Sequence, residues 1–254
     1  MADYAKIAKD ARLKVLDMIY EAQSSHIGSN FSAIDIMAVL FEKIDLDRDR
    51  FILSAGWKAA ALYYFLWRKG RITEDELNSY CKEGSKFIGL AEPIHPDIPV
   101  AGGSMGLGLP MAVGIALAKK LSNEDGEVYV LMSDGEIQCG TTWEAINIAN
   151  QHNLGNLTII VDKNGLQAMG RTDDILEIRN AEIVLPGYMV NGHDYEALSM
   201  CLMEESRPHN QKPRVIWAKT VKGMGVPAWE DDNMWHYKAP NKDEYEYAKA
   251  CLTS

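Results

Sequence analysis

Residues 127–166 constrain the chain more than any other stretch, because they read as strand, turn, helix, strand and turn without a break. Glu127 to Met132 (EVYVLM) is a short, mostly apolar run with β-branched and aromatic residues, the pattern of a buried strand. Ser133-Asp134-Gly135 follows, small residues that let the backbone turn sharply and present a carboxylate. Thr141 to His152 carries Trp143, Ile146 and Ile148 and reads as a crossover helix. Leu157 to Val161 (LTIIV) is a second buried strand, ended by Asp162-Lys163-Asn164-Gly165. Two parallel strands joined by a helix place both polar turns at the carboxyl edge of one sheet, where open α/β folds bind ligands. The expectation is an α/β fold, an open and mostly parallel sheet with helices on both faces.

Asp134 and Asn164 converge at that edge. Taken singly, Asp134 reads as a helix cap and Asn164 as a residue that tolerates a left-handed turn. Taken together, their oxygens suit a hard cation such as Mg²⁺, which wants octahedral coordination at about 2.0–2.1 Å and often completes it with phosphate oxygens.

At 254 residues the chain is long enough for one large domain over residues 1–254. Its net charge of −10 argues against nucleic-acid or anionic-membrane binding, which need a basic face. Cys81, Cys139, Cys201 and Cys251 form no CxxC pair, so neither a zinc site nor a disulfide framework is indicated and a cytoplasmic setting is expected. The first thirty residues lack the apolar core of a secretory leader, and no stretch approaches a membrane span.

The rest of the chain alternates helices, loops and short strands. Residues 3–22 have helical apolar spacing, Ser24 to Asn30 is a loop holding His26, and Ser32 with Asp35 reads as a capping box for a helix to about Glu42. Arg50 to Ser54 is a short strand, and Ala55-Gly56-Trp57 leads to a helix over Lys58–Arg68. Lys58 reads either as a solvated helix residue or as a cation for a ligand. Thr73 to Glu76 opens a capped helix ending near Glu83-Gly84. His95 precedes Pro96, which holds it extended. Ala101 to Gly108, with Gly103, Ser104 and Met105 at its centre, is a glycine-rich loop before a helix over Leu109–Leu121. Its order is G-x-x-G-x-G rather than the dinucleotide G-x-G-x-x-G, which opposes a dehydrogenase. Asp173 to Asn180 reads as a short helical turn and Tyr188 to Val190 as a strand. Asp194 caps a helix to Glu205, Pro213 to Lys219 is a strand, and a terminal helix starts at Asn241.

SDGEIQCG followed by DKNGL resembles the thiamine-diphosphate motif of the transketolases. The resemblance continues through Ser25-His26-Ile27-Gly28, the glycine-rich loop, His95-Pro96-Asp97, Thr220-x-Lys-Gly-x-Gly and Trp235-His236, so it covers essentially the whole chain. It implies that Asp134, Asn164 and the carbonyl of Leu166 hold Mg²⁺, which grips the diphosphate. It further implies that Gly103, Ser104, Met105 and Gly135 lie along the cofactor, and that His26, His95 and His236 serve catalysis, His236 also touching the cofactor. Three positions depart from the pattern: Trp57 replaces a histidine on the diphosphate, with Lys58 a substitute cation; Leu107 replaces a Gln or His; and Cys139 replaces a glutamate. Cys139 reads as a small packing residue, since buried thiols are usually inert.

Full-length transketolases continue into pyrimidine-binding and C-terminal domains. The resemblance therefore implies the N-terminal subunit of a split transketolase, completed by a second polypeptide as α2β2. The implied reaction moves a two-carbon ketol unit from a ketose to an aldehyde. Alternatives are a pyruvate-using carboligase resembling 1-deoxyxylulose-phosphate synthase and a noncatalytic subunit that keeps the fold.

Overall fold

The computed structural model describes residues 2–178, 181–203 and 211–253. Helix α1 (Tyr4–Ala22) starts at Asp3, whose side chain accepts the Lys6 amide, and buries Ile7, Ala8, Ala11, Val15 and Ile19 along one stripe. Helix α2 (Ile27–Lys43) is buried at every residue from Ile27 to Phe41, as expected for a helix at the centre of a core. It begins before the predicted capping box, with His26 at its N-cap in the left-handed region at φ 71°. Ser32 does not cap. It is fully buried, and its hydroxyl donates to the Ser29 carbonyl and to Asp162. Asp35 instead receives Arg12, because a carboxylate inside a helix core needs a cation more than a free amide.

Strand β1 (Arg50–Leu53) leads through a short 3₁₀ turn to α3 (Ala59–Arg68) and α4 (Glu74–Asn78). The Thr73–Glu76 capping box is present. The helix ends earlier than the expected Glu83-Gly84, and the chain turns at Cys81 with φ 53°. Helix α5 (Gly108–Leu121), strand β2 (Val128–Ser133), helix α6 (Gly140–Gln151) and strand β3 (Leu157–Lys163) follow. Then come α7 (Thr172–Ile175), α8 (Ala181–Val184), β4 (Tyr188–Asn191), α9 (Tyr195–Cys201), β5 (Arg214–Lys219) and α10 (Lys242–Thr253). Asp194 caps α9 as read. The predicted extension of α9 to Glu205, and the end of the predicted turn at Asn180, lie outside the described residues.

The five strands run in the order β1-β2-β3-β5-β4, and every pairing is parallel. Alternate strand residues face opposite layers. Phe51, Leu53, Leu131, Ile160 and Ile216 pack with α1, α2 and α3, while Ile52, Val130, Met132, Ile159 and Val161 pack with α5 and α6. Among the described residues, no helix is long and apolar enough to cross a membrane.

Candidate active site

The sheet register brings the polar turns together. Ser133 pairs with Asp162 across β2 and β3, and Lys163 pairs with Lys219 across β3 and β5. Asp134 and Asn164 therefore emerge side by side at the carboxyl edge. Asp134 Oδ1 accepts the Gly135 amide at 2.8 Å, and Oδ2 accepts the Gly165 amide at 2.7 Å, tying the two turns to each other. Asn164 donates from Nδ2 to Ser32 Oγ at 3.3 Å and accepts the Leu166 amide at Oδ1 at 3.1 Å.

A cavity of about 390 Å³ opens over this edge. Asp134, Gly135, Asn164 and Leu166 line one side of it. His26, Trp57, Lys58, Gly103, Met105 and His236 line the rest. Ser104 is exposed and is not among the lining residues. His95 lines a separate shallow depression among Pro93, Pro96 and Pro99, and its Nδ1 accepts the Asp97 amide at 3.2 Å. Leu107 is 41% exposed at the start of α5 and does not reach the cavity. Cys139 packs beneath Gly106, where an added Cβ would come within 2.6 Å of it, and burial pushes its thiol up, away from the reactive thiolate.

The glycine-rich loop reaches the site by close backbone approach. A Cβ on Gly56 would fall 2.2 Å from the Gly102 carbonyl oxygen, and the Gly56 amide donates to that oxygen at 2.8 Å. Two glycines are needed where these backbones cross.

Burial governs the electrostatics. Asp134 is pushed up to about 6 by burial, against the pull of the Gly165 amide. His26 is lowered to about 4 and His236 to about 3, first by burial and then by the Lys222 charge, so both rings are neutral at pH 7. Lys58 is fully buried and paired with Asp162; it is not a solvated helix residue. Ser25 Oγ lies 2.6 Å from His26 Nδ1, and the His26 and His236 rings meet edge to face at 5.0 Å.

Sequence reasoning missed three supports of this site. Glu136 is fully buried and accepts the amides of Ser133 at 2.8 Å and Gly106 at 3.2 Å together with the Ser54 hydroxyl, joining three loops. The Ser133-x-x-Glu136 spacing of a capping box was its available signal. Asp162 and Lys222 are likewise buried. The sequence marked Asp162 only as part of the polar turn after the second strand and Lys222 only within the Thr220-x-Lys-Gly-x-Gly match, and neither pattern carries the buried role the structure gives them. Tyr237, also on the cavity, packs edge to face against His26 at 5.5 Å and His236 at 4.7 Å.

The arrangement fits Mg²⁺ with a diphosphate. Asp134 is a buried carboxylate whose pKa burial raises, so a cation beside it would favour its charged form. Asn164 and the Leu166 carbonyl add neutral oxygens, and a hard cation held by so few protein groups is completed by ligand oxygens. Lys58 borders the same wall, with its ammonium buried against Asp162.

A buried carboxylate, an amide and a lysine at the edge of a parallel α/β sheet describe a domain for an anionic cofactor. The family "Transketolase, thiamine diphosphate binding domain" matches residues 4–253, and the chain belongs to it. It is 35% identical, over 96% of its own length and 93% of the relative's, to an apulose-4-phosphate transketolase subunit of Actinobacillus succinogenes. To the protein of the same name in Phocaeicola vulgatus it is 31% identical, over 93% of this chain and 89% of the relative. A transketolase crystal structure from Campylobacter jejuni superposes with a TM-score of 0.90 at 27% identity; it covers all of this chain, which spans only 43% of that one.

Proposed function

We propose that this chain is the diphosphate-binding subunit of a thiamine diphosphate- and Mg²⁺-dependent enzyme that transfers a two-carbon ketol unit from a ketose to an aldehyde. The observation that carries it is the meeting of Asp134, Asn164 and Leu166 with Lys58, His26 and His236 around one cavity. In this reading Asp134, the Asn164 side-chain carbonyl and the Leu166 backbone carbonyl hold Mg²⁺, and Lys58 faces the diphosphate in place of the histidine that Trp57 replaces. Thiamine diphosphate, when bound, supplies the carbanion chemistry that opens the ketose C2–C3 bond. The protein's own contribution is to orient the diphosphate, exclude water and place neutral imidazoles where substrate hydroxyls and carbonyls sit. His26 and His236 line the cavity, which supports that role; His95 is retained as a substrate contact on sequence grounds.

We infer a second polypeptide carrying the pyrimidine-binding and C-terminal domains, assembled as α2β2. Both relatives are named as transketolase subunits, and this chain spans 43% of the Campylobacter transketolase; these two facts support the inference. The same names support a phosphorylated ketose as donor. We place the enzyme in the cytoplasm, in keeping with four cysteines outside any disulfide.

The deciding experiment is calorimetric titration of thiamine diphosphate into the complex with its partner, with and without Mg²⁺. Asp134→Ala and Asn164→Ala should each abolish Mg²⁺-dependent binding while circular dichroism stays native. Unchanged affinity in both variants would overturn the metal assignment.

A further inference from the structure

Lys222 follows β5 and turns inward until its side chain has no exposed surface. Its loop is pinned on three sides. The Val221 amide donates to His193 Nε2 at 2.8 Å, Arg12 Nε donates to the Met224 carbonyl at 2.9 Å, and the Gly223 amide donates to the Gly28 carbonyl at 3.0 Å. The lysine stem packs on the start of α2 so tightly that a Cβ on Gly28 would lie 3.1 Å from Lys222 Cγ.

At the end of this stem, Nζ lies 2.7 Å from Nδ1 of His236 and 3.4 Å from Asn233 Oδ1. His236 is also held: its carbonyl accepts the His26 amide at 2.8 Å, and Asp232 caps the Asn233–His236 turn. An ammonium has donors only, so Nδ1 must accept. A neutral imidazole that accepts at Nδ1 carries its proton on Nε2, and His236 lines the cavity.

We propose that Lys222 is a positioning residue that holds His236 as the neutral Nε2–H tautomer, so that His236 presents a hydrogen-bond donor to an anionic or carbonyl oxygen in the cavity. In that form His236 gives a hydrogen bond at Nε2 and does not accept a proton there. The assignment of tautomer stands on the geometry alone; only the identity of the oxygen rests on the function proposed above.

The test is ring-nitrogen NMR of the full chain labelled with ¹⁵N-histidine and free of cofactor, with His236→Gln used to assign the resonance. The wild type at pH 7 should show His236 protonated at Nε2 and bare at Nδ1. Lys222→Met should release the ring to a mixture of tautomers, and Lys222→Arg, whose guanidinium also only donates, should restore the Nε2–H form. The charged groups around the ammonium are Lys58, Asp134 and Asp162, with the neutral His26 beside it; burial, then Lys58, lowers Lys222 to about 8. Raising the wild type to pH 10 therefore turns the lysine into an amine that can accept, and should also raise the Nδ1–H population, an arm that needs no variant. An Nδ1–H ring in the wild type at pH 7, or an unmoved tautomer in folded Lys222→Met or at pH 10, would overturn the proposal. Because no cofactor is present, that outcome is separate from a failure of cofactor binding in the calorimetry.

Discussion

Lys58 and Asp162 form an ion pair in which neither side chain has any solvent-exposed surface. Asp162 also accepts the hydroxyls of Ser32, at 2.6 Å, and Thr220. Burial alone would raise this carboxyl, but the Lys58 ammonium and these hydrogen bonds hold it below the ordinary range. The pair thus joins α2, α3 and the ends of β3 and β5 directly under the candidate site.

Breaking it from one side leaves a buried charge alone. Lys58→Met should destabilise the chain by about 3–5 kcal/mol, and pairing it with Asp162→Leu should recover a large part of that loss. Urea unfolding curves of the two single variants and the double variant would measure the coupling. An unshifted midpoint in Lys58→Met would show that the pair contributes nothing to stability.

The histidines set the acid limit. His26 and His236 have folded pKa values near 4 and 3, below the unfolded value of 6.5. A depressed histidine favours the folded state most above the unfolded pKa, because below it the unfolded chain binds protons that the folded chain refuses. The histidine contribution should therefore be largest above pH 6.5 and should fall as pH drops toward 4, with the Asp35 cluster failing only at lower pH. It is opposed in part below pH 6 by Asp134, whose raised carboxyl favours the folded state as it protonates. Thermal melts from pH 4 to pH 8 should show this slope, and His236→Gln should flatten it. A slope that is the same in the variant would assign the acid sensitivity elsewhere.

Trp57 and Leu107 replace polar residues of the family pattern, but only Trp57 lines the cavity. Trp57→His should therefore alter turnover or KM of the reconstituted enzyme by tenfold or so, the scale of one gained or lost buried hydrogen bond of about 1–3 kcal/mol. Leu107→Gln, at an exposed position, should leave stability within about 0.5 kcal/mol. Xylulose 5-phosphate and ribose 5-phosphate are the substrates for this comparison, and they should be poor ones for the wild type. Wild-type turnover near 10 s⁻¹, about the median for enzymes, would remove the case for a specialised pocket.

The chain without its partner should bind thiamine diphosphate weakly and show no ketol transfer. Turnover by the purified chain, with no second polypeptide in its mass spectrum, would refute the split-subunit reading.

The amino-acid order by itself determined the parallel α/β plan, because buried strands such as VYVLM and LTIIV leave a two-sided apolar signal and their polar ends mark the carboxyl edge. It also determined that Asp134 and Asn164 belong to one site, since a right-handed crossover leaves little freedom in where two such turns go. It misplaced the start of α2. Ser32 and Asp35 have the spacing of a cap, but their partners, Asp162 and Arg12, come from elsewhere in the chain. Only the tertiary structure decided what Lys58, Glu136 and Lys222 do. A buried charge is stable only opposite a specific partner, and here each partner is brought by sheet register and helix packing rather than by nearness along the chain. The same holds for His236: local sequence placed an imidazole beside the cavity, but which of its nitrogens carries the proton depends on a lysine from another loop.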